Sequence, residues 1–219
     1  MPNSLPLVLI GSSYLLGSIP FSYLVVRLFA GEDIRRLGSG NVGATNVLRN
    51  FGKLPGIIAL LLDIAKGWAA VALAQALTRG PEWAAEDNNL LQLRTFWLGL
   101  ACFMVVIGHM FPVWLRFQGG KGVATATGAF LALDVRVVAG AAIVFLIVIL
   151  LTRYVSLASM VGAAAVPLFF RFLVQAPLWL NLFSIVVSIA VIARHHQNIG
   201  RLASGSERKL GSPTREEEL

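Results

Sequence analysis

Residues 54–78 read "LPGIIALLLDIAKGWAAVALAQALT". The run is apolar apart from Gln75, Thr78 and two ionisable residues, Asp63 and Lys66. About 20 mostly apolar residues suffice for a helix that crosses a bilayer. The whole chain agrees with a membrane reading. It has 219 residues, 57% hydrophobic and 13% charged, and its mean hydropathy is +0.75. Soluble domains carry about 25% charged residues. The deficit makes this an all-α integral membrane protein.

Outward from 54–78, the other spans follow. A first run covers 5–29, with no basic segment before it, and is expected to be a retained span rather than a cleaved signal. A third covers 95–115. A short run, 122–133, rises only about 18 Å as a helix and cannot cross a core of about 30 Å alone. Runs at 137–152, 154–170 and 172–193 complete about seven membrane helices, one or more of them short. The organisation expected is one polytopic domain over 1–203 and a polar, disordered tail over 204–219. No internal repeat of the transporter kind is visible.

The net charge of +7 does not imply nucleic acid, because the basic residues form no dense patch. They lie between apolar runs, as the positive-inside rule requires. With the N-terminus outside and seven segments, only Arg79, Arg94, Arg136 and Arg171 fall outside, and the C-terminus is cytoplasmic. Cys102 is the only cysteine, so neither a disulfide framework nor a thiolate cluster is available. Three histidines and few carboxylates argue against a metal site, and no cofactor is implied.

Three polar motifs then fall on one face. "GSGNVGATNVLRN", 38–50, sets Gly38 and Gly40 beside Ser39, Asn41, Asn46 and Arg49. Glycines let backbone N–H groups form a concave array. The short polar groups and the forked cation suit a phosphate or carboxylate. "RFQGGKG", 116–122, places Gly119, Gly120, Lys121 and Gly122 before the short helix, whose N-terminal amides and dipole favour an anion. This is not a Walker A loop, since Gly122 follows the lysine. "RHHQNIGRLASGSERK", 194–209, puts His195, Asn198 and Arg201 on one side of a continued helix. His195 is a candidate general base. Each motif also has a plain structural reading: an interfacial loop, a snorkelling lysine, a basic membrane exit. Asp63 and Lys66 can pair with each other, and ionisable residues at membrane depth are functional candidates. Ser156 and Ser159 in "RYVSLASM" could line a polar site or pack helices. His109, in an apolar run, is expected to serve packing.

Together, in this order, the motifs resemble the bacterial acyl-phosphate-dependent glycerol-3-phosphate acyltransferases, the PlsY family. "GSGNVGATNVLR", "DIAKG", "GGKGVATATG", "RYVSLASM" and "HHQNIGRLASGSERKLG" carry the resemblance, from about Gly17 to Gly211. It implies seven membrane helices in the bacterial cytoplasmic membrane and an active site at the cytoplasmic face. It implies acyl transfer from acyl phosphate to the 1-hydroxyl of glycerol 3-phosphate, giving lysophosphatidic acid and inorganic phosphate. By resemblance, Ser39 and Arg49 match essential residues of the first motif. Lys121 and the glycines match a phosphate-binding loop; Ser159 and Arg201 are candidate substrate contacts by their place in the motifs. His195 and Asn198 match a catalytic pair, and Glu207 a structural carboxylate. The expected partners are the two substrates, the bilayer and the soluble enzyme that makes acyl phosphate. The His-x4-Asp motif of other glycerolipid acyltransferases is absent, since Trp114, Gly200 and Arg201 stand five residues after the three histidines. The alternative is a transporter of a phosphorylated anion, which would also use cationic loops and a broken helix.

Overall fold

The protein, seen in a computed structural model, is described over residues 5–80, 83 and 88–211. Ten α-helices order the described residues, and no strand occurs among them. Helices α1 (Leu5–Ser18) and α2 (Phe21–Ala30) come from the first apolar run. Together they form the one expected span, Leu5–Ala30, interrupted within it at Pro20. A proline lacks the amide that would continue the ladder, so the chain breaks at Ile19–Pro20. After a polar loop come α3 (Ala44–Phe51) and α4 (Lys53–Leu77). Helix α5 (Asn88–Met110) begins earlier than the expected 95. The short run forms α6 (Val123–Leu133), and α7 (Val135–Thr152) follows after one residue, Asp134.

Helix α8 (Val155–Leu168) ends in a π-helical turn over Phe169–Leu173, beyond Pro167. This turn delays α9 to Leu178–Ala193, so the expected start at 172 is corrected. Helix α10 (His196–Ala203) leaves α9 at 56°. By length and composition five helical segments can cross a membrane, or six if the bent α9–α10 pair is one span, and α6 is a shorter apolar helix.

Helix α6 survives at half length because other helices shield it. Where α4 crosses α6, Gly67 faces the Thr125 carbonyl and Gly128 faces the Ile64 carbonyl, so closely that a Cβ at either glycine would collide with backbone. Small residues permit such contact in membranes, where van der Waals packing drives helix association. Gly17 and Gly108 do the same between α1 and α5. The core between them holds Val71, Val105, Val106, Met110, Ala129, Phe130, Val166 and Phe170. Helix α7 instead turns Ile143, Leu146, Ile147, Leu150 and Leu151 outward, as lipid contact demands.

The polar tail does not begin at 204. Ser206 and Glu207 donate their amides to the Arg201 carbonyl, and Leu210 donates its own to the Arg153 carbonyl at 2.7 Å. These bonds hold the chain against the fold as far as Gly211. Residues 212–219, the rest of the expected tail, lie outside the described residues.

Candidate active site

The three polar motifs converge on one cavity of about 450 Å³. Its polar end is lined by Ser39, Asn41, Arg49, Lys121, Gly122, His195, Asn198, Arg201 and Glu207. Its other arm is apolar and runs between helices, past Ile64, Ala126, Phe130, Ala141, Phe145, Ala163, Val166 and Val187. One pocket therefore offers a charged mouth and a greasy channel.

The first motif is organised from within. The buried Asn46 side chain accepts the Ser39 amide at 3.1 Å. It donates to the carbonyls of Leu37 and Asn41 at 3.0 and 3.1 Å. Asn46 itself borders the cavity, with its side-chain amide holding the loop. Gly38 and Gly40 adopt φ of +56° and +69°, the left-handed region that glycine accepts without cost. Neither lines the cavity. They turn the chain so that Ser39 and Asn41 do.

The glycine loop corrects an expectation. Gly119 donates its amide to the Met110 carbonyl at 3.2 Å, and Gly120 donates its own to the His109 carbonyl at 3.1 Å. Those two amides are used up by the turn back along α5 and cannot cradle an anion. What the loop presents is Lys121, Gly122 and the first turn of α6, whose amides have no intrahelical partner. Arg194, unmarked by the sequence, supports the loop from outside. Its guanidinium donates to the carbonyls of Gly119 and Gly120 at 3.3 Å and stacks on Phe111.

The third motif is not one straight helix. His195 caps α10 at the bend, yet His195 and Asn198 are both buried and still share the cavity. His195 donates Nδ1–H to the Val191 carbonyl at 2.7 Å, since a carbonyl can only accept. Nε2 is thereby the free acceptor. Burial, with Lys121 nearby, holds the imidazole down at about 4, so it is neutral at pH 7. Glu207 joins the motif to α8. Its carboxylate accepts from Ser156 Oγ, Asn198 Nδ2 and Arg201 Nε, each at 2.7 Å. Burial alone would raise this carboxyl, but those three donors outweigh it and hold it below the usual range. Of the two roles open to Ser156, the polar one is realised, since its hydroxyl is a partner of Glu207. Ser159 lines the cavity while its hydroxyl bonds the Val155 carbonyl at 2.8 Å.

Lys121 Nζ donates to Asn198 Oδ1. Burial pushes its ammonium down to about 8, and Arg201, Arg49 and Arg194 push the same way against Glu207 alone. Arg49, Lys121 and Arg201 thus line the mouth beside Glu207, with Arg194 behind the loop, an excess of positive charge that an anion relieves. The pH consequence has a definite sign. In the empty site Lys121 loses its charge as pH rises through about 8. The kcat/KM for a phosphate substrate should therefore fall above about pH 8. Lys121→Arg, still charged there, should lose that alkaline limb. Steady-state rates from pH 6 upward test this, and an unchanged limb in Lys121→Arg would remove Lys121 as its source.

Among the described residues no group of three or more His, Cys, Asp or Glu is placed to hold a metal. Asp63 and Lys66 do pair, at 2.7 Å, and Asp63 and His109 also border the cavity.

A cationic mouth that opens into an apolar channel between membrane helices defines a protein handling an anionic, lipid-like molecule at a membrane surface. Comparison makes this specific: the chain belongs to the glycerol-3-phosphate acyltransferase family, whose model matches residues 7–205. A glycerol-3-phosphate acyltransferase of Desulforamulus reducens is 43% identical over 205 residues, 94% of each chain. One from Synechococcus sp. (strain JA-3-3Ab) is 46% identical over 198 residues, 90% of each. The crystal structure of PlsY (YgiH), an integral membrane glycerol 3-phosphate acyltransferase, in its glycerol 3-phosphate form superposes with a TM-score of 0.82. It shares 37% identity, covering 94% of this chain and 96% of the other. The lysophosphatidic acid form gives 0.80 at 36% identity. The chain is thus a multi-pass membrane enzyme that acylates glycerol 3-phosphate. A transporter, which the loops alone also allowed, is set aside.

Proposed function

We propose that the acyl donor is acyl phosphate, and that the polar face lies at the cytoplasmic side of a bacterial inner membrane. The carrying observation is that three cations, Arg49, Lys121 and Arg201, line the mouth of an apolar channel beside Glu207. Two phosphate-bearing substrates need that much positive charge in one place. The acyl chain lies in the channel, while both phosphates stay at the mouth near Ser39, Arg49, Lys121 and Arg201.

Acyl phosphate is already activated, so the protein need only position and neutralise. The 1-hydroxyl oxygen of glycerol 3-phosphate attacks the acyl carbonyl carbon and forms a new C–O bond. The bond from that carbon to the phosphate oxygen breaks, and inorganic phosphate leaves with the electron pair. The hydroxyl proton passes to a base. Cys102 is buried in α5, away from the cavity, and supplies no thioester route. Ser39 acts as a positioning donor. The product is lysophosphatidic acid. A soluble partner that makes acyl phosphate would deliver it at this face.

We assign the base to a substrate phosphate: His195 is buried and neutral in the empty site, and glycerol 3-phosphate carries its own phosphate, whose second pKa is about 6, in the same molecule as the attacking hydroxyl. His195→Ala should therefore keep a measurable rate, down by about 10²-fold through lost positioning. A rate reduced to background would return the role to His195.

The donor is tested with purified protein in lipidic medium. Glycerol 3-phosphate is supplied with acyl phosphate, acyl-CoA or acyl carrier protein, and lysophosphatidate is measured. Turnover with acyl phosphate alone is expected. Turnover only with acyl-CoA or the carrier protein would overturn the donor assignment.

A further inference from the structure

Asp63 and Lys66 take no part in the steps above, yet their side chains are 2% exposed within a membrane helix. Taking two charges out of water costs several kcal/mol per ion, and an apolar pair of similar volume is often no less stable. Such a pair calls for a use other than stability, and the geometry around it indicates one.

Asp63 Oδ1 lies 2.7 Å from Lys66 Nζ and 3.5 Å from His109 Nδ1. Asp63 Oδ2 accepts from Ser22 Oγ at 3.1 Å. Lys66 Nζ donates to the Ile19 carbonyl at 2.8 Å, at the break between α1 and α2, and sits over the Phe21 ring. The carboxylate is thus tied to the α1–α2 break on one side and faces the imidazole on the other.

His109 stands at the end of α5, where the glycine loop folds back. Its carbonyl accepts the Gly120 amide. Its ring lies against Gly120 itself: a Cβ there would collide with His109 Nε2 and with the Val42 carbonyl of the first motif. Gly120 is therefore gripped between the imidazole and the first motif, while Arg194 holds its carbonyl from outside. The next residue is Lys121.

We infer that His109, set by the buried Asp63–Lys66 pair, is a positioning residue that fixes the glycine loop and so aims Lys121 at the substrate phosphate. His109 acts through the loop and does not itself handle the reacting atoms. A hydrophobic residue would pack equally well at this depth. A ring with a carboxylate 3.5 Å from Nδ1 and Gly120 against Nε2 has a different neighbour at each nitrogen, a direction that an apolar side chain would lack. This rests on the reading of Lys121 as a phosphate contact.

The test is a double-mutant cycle in the full-length protein in lipidic medium. The variants are His109→Ala, Lys121→Ala and their combination, with His109→Phe as a second route that keeps bulk against Gly120 but cannot answer Asp63. Thermal midpoint, kcat and KM for each substrate, and calorimetric affinity for glycerol 3-phosphate are read in every variant. His109→Ala and His109→Phe should lose about 10- to 100-fold in kcat/KM, the scale of a misplaced catalytic group. The thermal midpoint should move little. In the combined variant the loss in affinity should equal that of Lys121→Ala alone, because residues acting through one another are not additive. Additive losses, or normal kinetics in a folded His109→Phe, would overturn the inference. If His109→Ala does not fold, His109→Phe and His109→Gln carry the same comparison. If wild-type protein does not bind glycerol 3-phosphate, the phosphate reading fails first, and the binding arm shows this independently of the donor.

Discussion

Replacing Lys121 with alanine should lower kcat/KM by about 10²- to 10³-fold, the scale for removing one preorganised donor to developing charge. The thermal midpoint should change little. The reasoning begins with the environment. Lys121 is desolvated and stands among Arg49, Arg194 and Arg201 with one opposing carboxylate. Holding an ammonium there costs free energy in the empty enzyme, so its removal need not destabilise the fold. The folded-state pKa, about 8, is below the usual value of 10.5. Folding therefore disfavours the charged form, and this group lowers stability at pH 7. A bound phosphate reverses the balance. Wild-type protein should accordingly gain thermal stability from inorganic phosphate or glycerol 3-phosphate, and Lys121→Ala should gain less. Lost hydrogen bonding to Asn198 is the only visible structural debit. A variant that unfolds in step with its loss of activity would return Lys121 to an ordinary snorkelling role.

The span pattern was legible because the bilayer imposes it. With no water in the hydrocarbon core, each crossing must be an apolar helix of set length, and the short run at 122–133 stood out by failing that length. The polar motifs were legible because a chain with so few polar residues concentrates them where chemistry happens. What escaped was tertiary. No local pattern says that the Gly119 and Gly120 amides turn back onto α5, so glycines that read as an anion cradle became a hinge that positions Lys121. Arg194 reads as a basic membrane exit until its carbonyl partners, 74 and 75 residues away, come into contact. His109 reads as packing from its apolar run alone, because Asp63 and Gly120, the groups its ring faces, belong to other segments. The span over 5–29 was legible from its length, and Pro20 marks the interruption within it.

Glu207→Ala should be the more damaging change for the fold and nearly as damaging for the rate. One carboxylate receives Ser156 from α8 and Asn198 and Arg201 from α10, across 51, 9 and 6 residues of sequence. Removing it leaves two buried donors and one half-exposed guanidinium without an acceptor. Hydrogen bonds to charged groups contribute about 1.5–3 kcal/mol each, and the exposed share of Arg201 lowers its part of the sum. A clear fall in thermal midpoint is expected. The rate should fall as well, since Asn198, Arg201 and the bend at His195 are all set by this group. Glu207→Gln separates charge from shape. It keeps an acceptor oxygen for Ser156 or Asn198 but gives up the anion that faces Arg201, so its loss should be intermediate. The pH dependence checks the sign. The folded-state pKa of Glu207 lies below its usual value of 4.5. Its stabilisation is therefore fully present above the unfolded pKa and is lost as pH falls through the folded one. The stability gap between wild type and Glu207→Gln should be constant near neutrality and should shrink only at pH well below 4.5. A gap that closed nearer neutrality would mean that the carboxylate is not held by these donors, and that the tail folds back for another reason.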